Sequence, residues 1–180
     1  MEIPENRINY FRIPVYILII GFIALCFGGH NDTYASPFFE QNQHSIELQI
    51  DNPYMSVDGV SMRIDPDSNA TPIIIPSWKR TLVPLRGVVE NMGAVIEWDP
   101  EKKKIRIYKE SLSIEILLQI DQPKATIQKK EYWIDEQNHQ VVPIILNSRS
   151  YIPILFVAES LGATVMWAPN GQFLTLRWSD

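Results

Sequence analysis

Hydrophobic residues follow two rhythms along this chain, and both rhythms occur twice. Leu85, Val88, Val89 and Met92 stand at i, i+3, i+4 and i+7, and so do Ile154, Val157, Ala158 and Leu161. Each set predicts one apolar stripe on a short amphipathic helix. Pro84 and Pro153 suit the first turn, where an N–H would have no intrahelical partner to lose. Gly93 and Gly162 suit the left-handed position that ends a helix. Beyond each glycine a short strand is expected, Val95 to Trp98 and Val165 to Trp167. A turn follows, Asp99-Pro100-Glu101-Lys102 or Ala168-Pro169-Asn170-Gly171, and then a second strand, Lys104 to Tyr108 or Phe173 to Trp178. Upstream, Ile46, Leu48 and Ile50 alternate with polar residues, as do Ile116, Leu118 and Ile120, while 73–75 and 144–146 are short apolar runs.

The pattern recurs because the sequence itself recurs. Arg80 to Ile107 is rewritten as Arg149 to Leu176, 69 residues later and without a gap. Eight positions are identical: Arg80/Arg149, Pro84/Pro153, Val88/Val157, Glu90/Glu159, Gly93/Gly162, Ala94/Ala163, Trp98/Trp167 and Pro100/Pro169. Upstream, Glu47 to Pro53 (ELQIDNP) returns as Leu117 to Pro123 (LLQIDQP). Internal repeats govern architecture, so the expected fold is α+β, antiparallel sheets wrapped around short helices, from two copies of a strands–loop–helix–hairpin unit. The copies span about 46–110 and 116–178, within a domain at 46–180 that follows a linker at 36–45. Residues that serve both copies serve the frame, which points away from an enzyme.

Residues 1–35 read as a secretion signal, with Arg7 and Arg12 before an apolar run from Ile13 to Phe27 and Thr33-Tyr34-Ala35 as a cleavage site. The run falls short of the roughly 20 residues of a spanning helix; an uncleaved N-terminal anchor is the alternative. The bulky Leu25 before Cys26 argues against lipid modification. Cys26 is the only cysteine, so the exported chain holds no disulfide or thiolate. Beyond residue 35, 14 basic side chains face 18 acidic ones, a net charge of −4. That balance offers no footprint for nucleic acid. No G-x-S-x-G, P-loop or H-E-x-x-H pattern occurs.

The segments RTLVPLRGVVENMGAVIEWDP and RSYIPILFVAESLGATVMWAP resemble the repeated motif of the copper amine oxidase N-terminal (stalk-like) domain family, widespread in secreted proteins of Gram-positive, spore-forming bacteria. The resemblance covers roughly Ile46 to Trp178. It implies a non-catalytic sheet twisted around a helix, used as an accessory module. The chain departs from the family's pattern at Pro76-Ser77-Trp78-Lys79 and at Asn147-Ser148, which replace a glycine-bearing turn. Catalytic amine oxidases hold copper with three histidines and build a quinone from tyrosine in another domain. Only His44 and His139 lie beyond the signal, so no copper or other cofactor is expected.

Candidate sites each have a structural and a functional reading. Trp98 and Trp167 are expected to be buried against the helix stripe, with carbohydrate stacking as the alternative. Arg80 with Glu90, and Arg149 with Glu159, keep the same separation and are read as structural ion pairs or loop-to-helix clamps, with a ligand-binding pair as the alternative. Asp65-Pro66-Asp67-Ser68-Asn69 opens like a calcium loop, but Ala70 and Pro76 stand where glycine and glutamate are needed; a polar loop is expected. Arg86-Gly87 in the first copy becomes Leu155-Phe156 in the second, widening the apolar face of that helix. The expected binding surface is Trp78, Trp133, Leu155 and Phe156. The expected function is a secreted, non-catalytic binding or scaffold module at the cell envelope, partnered by a cell-wall polymer, an extracellular protein or a second copy of itself. Glycan or cell-wall binding through exposed aromatics is the alternative, and an enzyme of unknown type the minor one.

Overall fold

The computed structural model describes residues 43–179. The expected signal and most of the linker lie outside the described residues. The first half of the described chain runs β1 (Gln43–Gln49), β2 (Tyr54–Val57), β3 (Val60–Arg63), β4 (Ile73–Ile75), β5 (Arg80–Pro84), α1 (Leu85–Asn91), β6 (Val95–Asp99) and β7 (Lys104–Lys109). The second half follows the same order: β8 (Ile114–Gln119), β9 (Lys124–Ile127), β10 (Lys130–Trp133), β11 (Ile144–Leu146), β12 (Arg149–Pro153), α2 (Ile154–Ser160), β13 (Thr164–Ala168) and β14 (Phe173–Ser179). Antiparallel sheets with two short helices make this an α+β fold.

The strands form three sheets, ordered β13-β14-β1-β2-β3, β10-β9-β8-β7-β6 and β11-β12-β5-β4. In the second of these, β7 runs into β8 and pairs along it from Lys104↔Gln119 to Lys109↔Ile114. The first sheet makes the matching contact between distant parts of the chain, with β14 paired to β1 from Gln43↔Ser179 to Gln49↔Phe173. Each outer sheet therefore combines three strands from one half with the hairpin of the other. The third sheet is also shared, since β5 and β12 pair at its centre.

The periodicities expected from sequence place the core. Ile46, Leu48, Ile105, Ile107, Ile116, Leu118, Leu174 and Leu176 are buried, as are the helix stripes Leu85, Val88, Val89, Met92 and Ile154, Val157, Ala158, Leu161. Each buried aliphatic side chain contributes about 1.5–3 kcal/mol, which outweighs the weak caps. Neither Pro84 nor Pro153 makes a side-chain cap; both close a strand directly onto the helix. Gly93 and Gly162 end the helices at φ 76° and 85°. Helix α1 packs on β5, β6 and β12, and α2 on β5, β12 and β13.

The turns entering the helices keep left-handed geometry without glycine. Lys79 has φ 54°, and Asn147 and Ser148 have φ 49° and 63° between the paired residues Leu146 and Arg149. Two successive positive φ angles in the two-residue Asn147-Ser148 loop match the twist of the flanking strands.

Candidate functional site

The duplicated arginines do not pair with the glutamates ten residues on; this corrects the expectation of Arg80–Glu90 and Arg149–Glu159 pairs. Arg80 donates to Asp135, and Arg149 donates to Asp65. The β5–β12 pairing brings each arginine to the loop that follows the third strand of the other half. The two bonds thus cross between halves, and Asp65 and Asp135 hold matching places 70 residues apart. Each aspartate also organises its own loop. Asp65 accepts from the Asp67 N–H at 3.0 Å and the Ser68 hydroxyl at 2.7 Å. Asp135 accepts from the Gln137 and Asn138 N–H groups, both at 2.9 Å. Burial pushes both carboxyls up, but the arginine and the loop hydrogen bonds outweigh it and hold them below the usual carboxylate range. This also assigns the 65–69 segment to a loop held by an ion pair.

Glu90 and Glu159 lie on exposed helix surface. Glu90 accepts from Arg86 at 3.1 Å, one helical turn away. In the second half Leu155 replaces that arginine, and partial desolvation on the helix surface pushes the Glu159 carboxyl up.

A second correction concerns the tryptophans. Trp98 and Trp167 are 38% and 43% exposed. Their register is inward-facing, opposite Ile105 and Leu174. Both, however, sit one residue from the end of an edge strand, so the ring reaches past the core. Trp98 lines a cleft of about 440 Å³ between α1, the β6–β7 hairpin, the loop after β3, and the β11–β12 turn. Ile96, Ile105 and Ile145 supply apolar wall, while Arg86, Glu90, Asp65, Asp67 and Arg149 supply charge. Ser148 and Ser150 add hydroxyls.

Gly87 lines the cleft as well, and no larger residue fits there. A Cβ at this position would overlap the backbone carbonyl of Ile64, so α1 lies directly against the loop after β3. Phe156 holds the matching place in α2 and packs half-buried against the core. Its neighbour Leu155 is 49% exposed.

The other expected surface residues do not gather. Trp78 is half-buried against the core. Trp133 stacks on His139 with ring centroids 3.6 Å apart, and Lys124 Nζ lies 5.0 Å from its ring centroid. Neither lines the cleft of Trp98. His44 lies elsewhere, its Nδ1 2.7 Å from Asp58 and its ring stacked on Trp178. The two histidines do not converge on one centre, and among the described residues no group of three or more His, Cys, Asp or Glu side chains could hold a metal ion. The described residues do not fit a copper centre.

The family model of the copper amine oxidase N-terminal domain matches residues 57–176. This chain belongs to that family. The match spans both halves, from the β2–β3 hairpin to β14, and includes every wall of the cleft. The copper amine oxidase N-terminal domain is a non-catalytic part of those enzymes. Comparison with curated proteins and with solved structures gives no match.

Proposed function

We propose that this member of the family is a non-catalytic binding module acting at the cell envelope, with its ligand seated in the cleft lined by Trp98. The observation that carries the reading is the cleft itself. Two halves built on one plan diverge at Arg86-Gly87 and Leu155-Phe156, and the divergence lies on the wall of a concavity. A concave, mostly apolar site with a few polar groups is the usual form of a small-ligand site. The secretion signal expected at residues 1–35 supports an envelope location.

Co-sedimentation of the protein with purified cell-wall sacculi, at low and high salt, tests this reading. Saturable binding that survives high salt is expected, because the cleft offers contact area and hydrogen bonds rather than a surplus of charge. Absence of binding by protein with a native circular dichroism spectrum would overturn the envelope reading.

A further inference from the structure

Building on the binding-module reading, we infer that the cleft binds a neutral sugar ring of a glycan chain, stacked on the indole of Trp98. An indole at the mouth of a cleft gives a flat apolar platform. Ile105 and Ile145 continue the apolar wall around it. A ring of C–H groups bordered by hydroxyls matches that arrangement, apolar on its face and polar at its edge.

The charges decide against the other ligand classes. The cleft holds two guanidinium groups, Arg86 and Arg149, against three carboxylates, Asp65, Asp67 and Glu90. Both cations are already engaged, Arg86 by Glu90 and Arg149 by Asp65. A phosphate or carboxylate ligand would meet a net negative rim with no uncommitted cation. Two of the carboxylates are committed likewise, which leaves little to hold an ammonium group. Ion pairs still offer what hydroxyls need. A guanidinium has five N–H donors and a carboxylate several acceptor sites, so each pair presents donors and acceptors side by side. Ser148 and Ser150 can act in either sense. The volume of about 440 Å³ falls within the range of roughly 300–1,000 Å³ found for small-ligand sites.

The second half supplies an internal control. Trp167 matches Trp98 and is equally exposed, but Leu155 removes the rim arginine and Phe156 replaces the glycine. Trp167 has the platform without the rim arginine and without the bare backbone of a glycine.

Titration of the protein with neutral β-1,4-linked tetrasaccharides of N-acetylglucosamine and of glucose, followed by tryptophan fluorescence and calorimetry, tests the proposal. Saturable binding of at least one, insensitive to salt, is expected. Trp98→Ala should weaken it about tenfold or more, Arg86→Ala should weaken it less, and Trp167→Ala should leave it unchanged. Arg86 is on exposed helix surface, so its variant keeps the test open should Trp98→Ala fold poorly. Three results would overturn the proposal: equal losses at Trp98 and Trp167, tighter binding of the cationic glucosamine tetramer, or no saturation by either neutral sugar at millimolar concentration. If that last result comes with intact sacculus binding, the sugar proposal falls and the binding-module reading stands. If sacculus binding is absent too, both fall.

Discussion

After the proline that opens each helix, the first half of the chain reads Leu85-Arg86-Gly87 and the second Ile154-Leu155-Phe156. The first residue of each trio is buried in both helices. At the next two positions one half has a charged residue and a bare backbone, and the other has two large apolar side chains. The first lies against the loop after β3 and borders a cleft; the second buries part of a phenyl ring. Positions shared between the halves hold the frame, through helix stripes, terminal glycines and crossed arginine–aspartate bonds. Positions that differ are where the two halves acquire different surfaces.

Exchanging those positions should break the comparison most visibly. Phe156→Gly removes a half-buried ring and places glycine inside a helix, a cost of about 2–4 kcal/mol. Gly87→Ala would gain helix propensity on an open surface, yet here the new Cβ meets the Ile64 carbonyl, and about 1–3 kcal/mol should be lost. Urea denaturation of both variants measures this. A stabilised Gly87→Ala protein would mean that α1 does not approach the loop as closely as described.

The crossed ion pairs come next, and they make the halves depend on each other. Asp135→Asn and Asp65→Asn should each cost about 1.5–3 kcal/mol at neutral pH, with the Asp65 variant toward the lower end because Arg149 is the more exposed of the two arginines. Both carboxyls sit below their ordinary value when folded. The stability they contribute is therefore present above the unfolded value of about 3.9 and is lost as pH falls through the folded value. Denaturation midpoints of wild type and variants should differ at pH 7 and converge in that acid window. Curves that stay parallel through that window would show that the aspartates act through loop geometry alone.

The sequence made the frame legible because apolar periodicity and repetition report on burial. The helix stripes, the terminal glycines and the outer hairpins stand where the pattern puts them. The ion pairs were missed because a constant separation of Arg80 from Glu90 and of Arg149 from Glu159 follows from any duplication, whether or not the residues touch. A signal was present in Ile64-Asp65 and Ile134-Asp135, which echo each other at the spacing of ELQIDNP and LLQIDQP. The exposure of Trp98 was not legible, since strand parity gives the face of a residue but not its distance from the sheet's edge. The cleft was visible only as the change from Arg86-Gly87 to Leu155-Phe156, whose geometric meaning depends on the approach of a loop more than 20 residues upstream. The β2–β3 hairpin carries its own signal, Asp58-Gly59 between YMSV and VSMR.

That hairpin gives the smallest and cleanest contrast between the halves. Asp58 and Gly59 have φ 50° and 83° in a two-residue loop between the paired residues Val57 and Val60. The matching loop between Ile127 and Lys130 is built from Gln128 and Lys129, at φ 47° and 71°. The left-handed conformation costs a residue with a Cβ about 1–2 kcal/mol, and glycine's greater freedom when unfolded offsets part of any relief. Lys129→Gly should therefore stabilise the protein by about 0.5–1 kcal/mol, and Gly59→Lys should destabilise it by a similar amount. Thermal melts of the two variants, and of the double variant that trades the residues between loops, measure the contrast. The double variant should melt close to wild type, because the loops lie in different sheets and distant effects add. A Lys129→Gly protein that melts lower than wild type would show that Lys129 contributes a contact worth more than the strain of its backbone.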